Sequence, residues 1–496
     1  MNLVELPPIV LSLMSNTLCD DLSGVLQFVR DCRDSFWSPE CEIRESPVGG
    51  VGVFAGTDIR KGSTLLKLPK SSLFSASNST IANLLLDDEI DGILALNIAF
   101  IYETTVFREK SHWVPYLKSI RICDEQQQLV LPPGYWSDEA KRCLRGSTLD
   151  TLHDGLRSET EVQEGFELAV DLARKWNQEF GLPIPQGYLD VRPDDRDDTI
   201  LKFHRFVATA YAMSSRVFEI DAYHGSALVP IADLFNHSTT APDVRFTSLY
   251  EVCPLCGEPG MCKHLVAEAA LEAQENGGSS PPGSDAESSD EEHDPSNEDE
   301  LVDITLERDV KKGQEIFNSY GELSNALLLA RYGFTVRNNP HDMVHLGNEV
   351  RALVRTHGRY AARTQWWSRT GWKAYSRWSA AEVQTPWLSE IFVDSRGQPS
   401  DPLAAFLNLL EMPETQWLQL RSAPTPSNAP VHQLQDMGDV GTRAHLLRLL
   451  AYKKLSWRPS PGGVPPAARV ILHSERTILR RARSRMYRRN SSRYTD

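Results

Sequence analysis

The spacing of hydrophobic and polar residues divides the first half of the chain into helical and strand-like stretches. Apolar residues three and four positions apart, as in "LSGVLQFVRDCRDSFW", predict one or two helices within residues 1–40. From Glu42 the pattern changes to short strands and turns in "CEIRESPVGGVGVFAG" and "STLLKLPKSSLFS". Helical spacing returns over residues 80–215, including "EIDGILALNIAFIYETTVF", "EVQEGFELAVDLARKWNQEF" and a helix across "LKFHRFVATAYAMSSRVFE".

The second half alternates in the same way. A strand is predicted at "DVRFTS", and "VDITLERDVKKGQEIFNSYG" indicates strand, turn and strand. From about Pro340 the pattern is helical, with loops at "APTPSNAP" and "RPSPGGVPP". We therefore expect an α+β fold with N-terminal helices (1–40), a first β-rich part (41–75), a helical insertion (76–205), a second β-rich part (206–335) and an all-helical C-terminal domain (340–496).

Composition excludes several classes of protein. The chain has 496 residues, of which 41% are hydrophobic and 24% charged, as in ordinary globular proteins. No apolar run approaches the roughly 18 residues of a transmembrane helix, and Glu5 with no basic n-region argues against a secretory signal. Eight scattered cysteines fit a reducing compartment. We expect a cytoplasmic or nuclear protein that does not bind a membrane.

The net charge of −15 is unevenly distributed. Residues 285–300 contain nine acids and no lysine or arginine, within a low-complexity loop that we expect to be disordered. Residues 476–496 contain eight arginines and one acid. The acidic loop is interpreted first as a solvated insertion, and alternatively as a segment that attracts a basic substrate. The arginine-rich end is interpreted equally as an exposed helix face and as a segment that contacts nucleic acid or a nuclear-import receptor. For the protein as a whole, nucleic acid is not expected as a partner.

Two short motifs carry candidate chemistry, although neither is specific alone. "GGVGVFAG" at residues 49–56 continues as a strand, so it is no dinucleotide fingerprint. It predicts a hairpin, or a backbone lying against a small cofactor. Far downstream, "LVPIADLFNHS" ends an apolar run on Asn236 and His237, and "KKGQEIFNSYG" places Tyr320 just past a strand.

In this order, the motifs resemble the SET-domain methyltransferases. The likeness is strongest to the split-SET branch that includes the Rubisco large-subunit methyltransferase and fungal ribosomal-protein lysine methyltransferases. It is carried by "GVGVFAGTDIRKGSTLLKLPKSSLFS", "SHWVPYLKSI", "LPPGYWSDEAKRCLRGSTL", "SSRVF", "PIADLFNHS", "GQEIFNSYGELSNALLLARYGF" and "ARVILHSERTILRRA". These segments span nearly the whole chain apart from residues 249–300.

The resemblance implies a split SET domain with a knot-like core that binds S-adenosylmethionine. It implies that Tyr320 stands where the methyl group crosses. The residues implied at the cofactor are Gly50, Val51, Gly52, Arg216, Asn236, His237, Tyr320, Tyr332 and Phe334. Those implied at the substrate are Trp113, Asp233 and Tyr332, with a buried helix anchor as the equal alternative for Trp113.

The function that follows is S-adenosylmethionine-dependent methylation of a lysine on a non-histone protein, with a ribosomal protein favoured. The expected substrate is basic, either a ribosomal protein or a histone-like tail, and the enzyme is expected to be a monomer. Two alternatives stay open. One is an inactive SET module that serves as an interaction scaffold, and the other is a histidine-specific protein methyltransferase.

A cysteine-rich segment departs from the family pattern. "LYEVCPLCGEPGMCKH" spaces Cys253, Cys256, Cys262 and His264 as C-x2-C-x5-C-x-H. Four soft or imidazole ligands suit a tetrahedral structural zinc ion. A cysteine-bearing hairpin without metal, at the base of the disordered loop in 249–300, explains the segment equally well.

Overall fold

The fold comes from a computed structural model that describes residues 16–192, 194–248, 252–257, 262–267, 301–356, 358, 360–379, 386–422, 440–456 and 465–491. The acidic stretch 285–300 and most of the loop segments at 423–430 and 458–466 lie outside these residues. The chain forms two compact units. Within the described residues, one contains 16–131 and 159–320, and the other contains 132–158 and 321–491.

The strands of the first unit are β1 (Phe36–Trp37), β2 (Cys41–Glu45), β3 (Val51–Ala55), β4 (Thr64–Pro69), β5 (Val217–Glu219), β6 (Ser226–Leu228), β7 (Val244–Ser248), β8 (Leu301–Leu306) and β9 (Glu315–Ile316). Most of them fall in the predicted β-rich parts, but β1 lies within the predicted N-terminal helices (1–40), where pairing with β4 makes a strand, and β5 lies in a stretch predicted as helix. Antiparallel pairing gives a four-stranded sheet in the order β1-β4-β8-β7, a three-stranded sheet β2-β3-β9 and the hairpin β5-β6. Strands separated by more than 200 residues therefore share both larger sheets.

Alternation along β8 shows why this sheet forms. Val302, Ile304 and Leu306 are buried, and the residues between them are half-buried. This period-two pattern presents one apolar face to the core. The partner strand β4 buries Leu65, Leu66 and Leu68.

The helices of the first unit are Asn16–Asp31, Ala82–Asp87, Gly92–Thr105, Val114–Leu117, Thr160–Phe180 and Arg196–Ser214. The helix Thr160–Phe180 ends on Gly181 in the left-handed conformation, with φ of 66°, and Asp195 caps the next helix at the amide of Asp198. The predicted helix across residues 201–219 is too long. It stops at Ser214, and β5 follows because Val217–Glu219 pair with Ser226–Leu228.

The second unit is mainly helical. Its helices are Asp138–Leu144, Thr148–Thr151, Asn325–Tyr332, Gly347–Thr356, Tyr360–Trp366, Trp372–Ser379, Asp401–Glu411, Glu414–Ser422, Val440–Ser456 and Pro466–Ser491. The all-helical prediction for residues 340–496 needs a correction, because β10 (Met343–His345) pairs with β11 (Phe392–Asp394). These strands place Val344 and Val393 opposite one another in the core, where both are fully buried.

Among the described residues, no helix combines the length and the apolar character that a membrane crossing demands.

Candidate active site

The Asn-His-Ser segment of residues 236–238 lies beside the segment that precedes Tyr320. The amide of Asn318 donates to the carbonyl of Asn236 at 2.9 Å, and the amide of Ser238 donates to the carbonyl of Asn318 at 2.8 Å. His237 and Asn318 thus form a short parallel bridge. The two motifs, about 80 residues apart in the sequence, meet through their backbones.

The Asn236 side chain ties this bridge to the three-stranded sheet. Its amide nitrogen donates to the Val51 carbonyl at 3.0 Å and to Oε1 of Glu315 at 2.7 Å. The hydroxyl of Ser46 lies 2.8 Å from both carboxylate oxygens of Glu315. Burial raises the pKa of Glu315, while the hydrogen bonds from Asn236 and Ser46 oppose that shift. Asn236 therefore joins β3, β9 and the Asn-His-Ser segment.

Gly52 is needed for this close approach. A Cβ at this position would lie 2.3 Å from Oε1 of Glu315 and 2.9 Å from the amide nitrogen of Asn236. Any side chain there would push the two polar groups apart. Packing of the Asn236 and Glu315 side chains against bare backbone therefore explains why residue 52 is a glycine.

His237 orients Tyr320. The backbone amide of Tyr320 donates to Nδ1 of His237 at 3.0 Å, so a neutral His237 ring carries its proton on Nε2. The two rings lie 5.1 Å apart between centroids. The Tyr320 hydroxyl donates to the Phe235 carbonyl at 3.1 Å. Tyr320 is therefore fixed at both its backbone and its hydroxyl.

Arg216 and Asp233 form an ion pair, with Nη1 and Oδ2 separated by 3.2 Å. Tyr116 donates a longer hydrogen bond of 3.4 Å to the same oxygen. Burial disfavours the charge on Arg216, but Asp233 and the nearby hydroxyls of Tyr116 and Tyr320 outweigh it and raise the pKa of Arg216. Burial also raises the pKa of Asp233, and Arg216 counteracts this. A guanidinium is thereby held within electrostatic reach of Tyr320.

Ile231, which precedes the Asn-His-Ser segment, is conformationally strained. It is fully buried, with φ of 68° and ψ of −38°. A β-branched residue rarely adopts a positive φ, and such strain persists only where surrounding packing imposes it. The strain sits at the start of the turn Ala232–Leu234, which delivers Asn236 to β3.

Gly49 and Gly50 border open space. Their φ values are 117° and 63°, and a Cβ on either residue would meet no atom within 4 Å. The turn before β3 thus exposes bare backbone next to Val51, whose carbonyl accepts from Asn236.

Three further predicted site residues have their contacts within their own units. Trp113 is 1% exposed and packs against Phe28, Phe74 and His112, as a core anchor does. Tyr332 and Phe334 belong to the second unit, where their ring centroids lie 6.3 Å apart. The substrate role predicted for Trp113 gains no support from this placement.

The cysteine cluster is assembled in the first unit. One ligand atom from each of Cys253, Cys256, Cys262 and His264 lies within 4.8 Å of all the others. Nδ1 of His264 is 3.8 Å from the sulfurs of both Cys253 and Cys262. Hydrogen bonding from the Leu265 amide lowers the pKa of Cys262 to about 6, although partial desolvation opposes it.

Glu315, Ser46 and Tyr116 are site residues that sequence reasoning missed. Glu315 lies five residues before Tyr320 in the same motif, which was the available signal. Ser46 and Tyr116 carry no motif of their own, and they become visible only through contacts with Glu315 and Asp233.

Comparison with known proteins shows the family to which the chain belongs. Ribosomal lysine N-methyltransferase 3 of Saccharomyces cerevisiae is 44% identical over 537 aligned residues, covering 94% of this chain and 97% of the yeast protein. The chain belongs to the SET-domain methyltransferase family. No model of a protein family matches the sequence.

More distant members of the SET-domain family share the fold or part of the sequence. Protein SET DOMAIN GROUP 40 of Arabidopsis thaliana is 23% identical, over 64% of this chain and 57% of its own length. The crystal structure of the SET domain of LSMT bound to lysine and AdoHcy superimposes with a TM-score of 0.54 at 16% identity, covering 95% of this chain and 92% of that one. The chain therefore has an LSMT-like SET fold with mixed helix and sheet content.

Proposed function

We propose that this protein transfers a methyl group from S-adenosylmethionine to a lysine of a ribosomal protein. The observation that carries the proposal is the meeting of the Asn236–Ser238 segment with Asn318 beside Tyr320, in a chain 44% identical to a yeast ribosomal lysine methyltransferase. The inactive-scaffold alternative is disfavoured because Asn236, His237 and Tyr320 are all present, with Asn236 bonded to the Val51 carbonyl and the Tyr320 amide bonded to His237.

The residues around the turn before β3 fit S-adenosylmethionine. Gly49 and Gly50 offer backbone that no side chain covers, and Arg216 offers a cation for a carboxylate. Asn236 and His237 already have protein partners for their side chains, so we assign them to positioning β3 and Tyr320. Gly50, Val51, Gly52, Arg216, Tyr332 and Phe334 remain the proposed cofactor contacts.

S-adenosylmethionine, when bound, supplies a methyl group on a sulfonium, which is already a good leaving group. The chain has to align a neutral amine, because an unperturbed lysine has a pKa of about 10.4. The Tyr320 hydroxyl donates a hydrogen bond to the Phe235 carbonyl, and its oxygen can in turn accept a hydrogen bond from the lysine nitrogen. Tyr320 would thereby direct the lone pair of the lysine nitrogen.

The finer architecture is part of the same proposal. We infer a knot-like core from the bridge between residues 236–238 and 318, and a mainly helical C-terminal domain over 340–496 that binds substrate. We also propose the domain bounds that the sequence predicts, which are 1–40, 41–75, 76–205, 206–335 and 340–496. We further propose a monomer that acts in the cytoplasm or nucleus on a basic protein, without binding nucleic acid.

Methyl transfer to ribosomes tests the proposal. Ribosomes from cells that lack this protein are incubated with methyl-labelled S-adenosylmethionine and with wild-type, Tyr320→Phe or Asn236→Ala protein. We expect a discrete labelled ribosomal protein with the wild type only, and mass spectrometry of that band should locate methyl groups on lysine Nζ. Methyl groups on histidine would contradict the lysine assignment, and absence of both labelling and calorimetric binding of S-adenosylmethionine would contradict the enzyme assignment.

A further inference from the structure

The cysteine cluster is built on a supported turn. The amide of Gly257 donates to the Cys253 carbonyl at 2.8 Å, which closes the Cys-x-x-Cys-Gly turn. Gly257 has φ of 74°, and a Cβ there would lie 2.8 Å from the ring of Tyr223. Only glycine therefore permits both the left-handed turn and its packing on Tyr223. Cys253 is fully buried.

The second pair of ligands belongs to a short helical segment. Residues 263–267 are helical, and the Val266 amide donates to the Cys262 carbonyl at 3.0 Å. This geometry lets His264 act as a ligand despite its close spacing to Cys262, because it turns Nδ1 of His264 toward two sulfurs at 3.8 Å. A tetrahedral zinc ion with these ligands separates sulfur from nitrogen by about 3.5 Å and sulfur from sulfur by about 3.8 Å.

We propose that Cys253, Cys256, Cys262 and His264 bind one structural zinc ion that joins the Cys-x-x-Cys-Gly turn, which packs on Tyr223, to the helical segment 263–267. Three thiolates and one imidazole complete a tetrahedral shell, so no coordination position is left for a substrate. β7 ends at Ser248, and its antiparallel neighbour β8 begins at Leu301. A crosslink among Cys253, Cys256, Cys262 and His264 restricts the chain that follows β7.

The β5–β6 turn, on which Gly257 packs, is held by hydrogen bonds and an ion pair. Tyr223 belongs to the turn between β5 and β6, whose Asp221 accepts from the amides of Tyr223 and His224 at 3.0 and 2.8 Å. Lys70 pairs with Asp221 at 2.7 Å. The zinc ion would therefore hold together a cluster that packs, through Gly257, on a turn already paired with Lys70 just after β4.

Metal content and spectroscopy of the full-length protein test this proposal. We expect about one zinc ion per chain by plasma mass spectrometry, and a Co²⁺-exchanged protein with tetrahedral d–d bands and thiolate-to-cobalt charge transfer. Cys256→Ser and His264→Ala should lose most of the metal and lower Tm by several degrees. Cys123→Ser, a half-buried cysteine outside the cluster, is the matched control and should keep zinc and Tm.

A thiol count covers the case in which the cluster variants fail to fold. In the wild type, chelation should increase by three the number of thiols that react with Ellman's reagent. Wild-type protein that contains no zinc after growth in zinc-rich medium, or Cys256→Ser and His264→Ala variants that keep it fully, would overturn the proposal. Calorimetric binding of S-adenosylmethionine to Cys256→Ser should stay near wild type, so a negative zinc result leaves the methyltransferase proposal standing.

Discussion

Asp221 and Asp233 are buried aspartates of the same unit, and their surroundings differ sharply. Asp221 contacts Lys70 and His224 through charged or polar side chains and accepts two backbone amides. Burial would raise its pKa, but these hydrogen bonds and charges outweigh burial and hold the pKa of Asp221 below its usual value. Both carboxylate oxygens of Asp221 therefore have polar partners.

Asp233 has fewer partners. Arg216 and Tyr116 both approach Oδ2, while Oδ1 accepts no hydrogen bond from any described residue. Burial consequently keeps the pKa of Asp233 raised. This comparison indicates that the polar side chains of the β5–β6 turn stabilise the fold. Near Asn236, by contrast, the Oδ1 atom of Asp233 can still accept a hydrogen bond, as a binding site requires.

The largest effect is expected from breaking the saturated pair. Lys70→Met removes the cation from a carboxylate with no exposed side-chain surface, and breaking a buried ion pair by removing one partner costs about 3–5 kcal/mol of unfolding free energy. His224 and two backbone amides still contact Asp221 in the variant, so we expect a loss at the lower end of that range. Urea denaturation measures it. Lys311→Met breaks an exposed pair with Asp58 and should leave the denaturation midpoint unchanged. Equal losses in both variants would refute the contrast.

The next largest effect is expected at Asn236. Asn236→Asp brings a second carboxylate to the position 2.7 Å from Glu315 and removes two donors. Misplacing β3 should lower the methyl-transfer rate by about 100-fold or more, since small errors of alignment are costly. Single-turnover kinetics on ribosomes measure it. Asn348→Asp adds the same charge at an exposed helix start and should transfer methyl groups normally.

A third buried carboxylate, Glu475 in the second unit, makes the stability of the fold depend on pH. Glu475 accepts the Thr148 amide at 2.7 Å, and burial raises its pKa to about 7. The folded state therefore holds a proton that the unfolded chain releases near pH 4.5. The contribution of Glu475 is fully present below pH 4.5 and is lost as the pH rises through 7, by up to about 3 kcal/mol.

Glu475→Gln keeps the acceptor for Thr148 and removes the titration. Thermal unfolding between pH 4.5 and 8 should then show a smaller decline in Tm for the variant than for the wild type. Parallel declines in both proteins would show that Glu475 does not govern this range.

The smallest effect is expected at Tyr116. Tyr116→Phe removes a 3.4 Å hydrogen bond to Asp233 and leaves the aromatic packing in place, so unfolding should become easier by about 1 kcal/mol. Binding of S-adenosylmethionine, measured by calorimetry, should weaken only a few-fold, because Arg216 keeps its partner. A loss as large as that of Asn236→Asp would mean that Tyr116 organises the site.

Sequence reasoning predicted the strand and helix order well because alternation and helical spacing are local. It failed at Val217–Glu219, where apolar Val217 and Phe218 continue the spacing of the preceding helix and only pairing with β6 makes a strand. It brought Asn236 and Tyr320 together through family resemblance. It missed Glu315, because the contact with Asn236 depends on the register of β9 against β3, which single-residue patterns do not encode.

Calorimetric titration of S-adenosylmethionine into Asn236→Asp and Lys70→Met, each with its Tm, tests the central claim most directly. We predict that Asn236→Asp loses measurable binding with a smaller loss of Tm than Lys70→Met, and that Lys70→Met binds normally below a clearly lowered Tm. Normal binding by Asn236→Asp, or lost binding in folded Lys70→Met, would contradict the division between a binding region and a stabilising one.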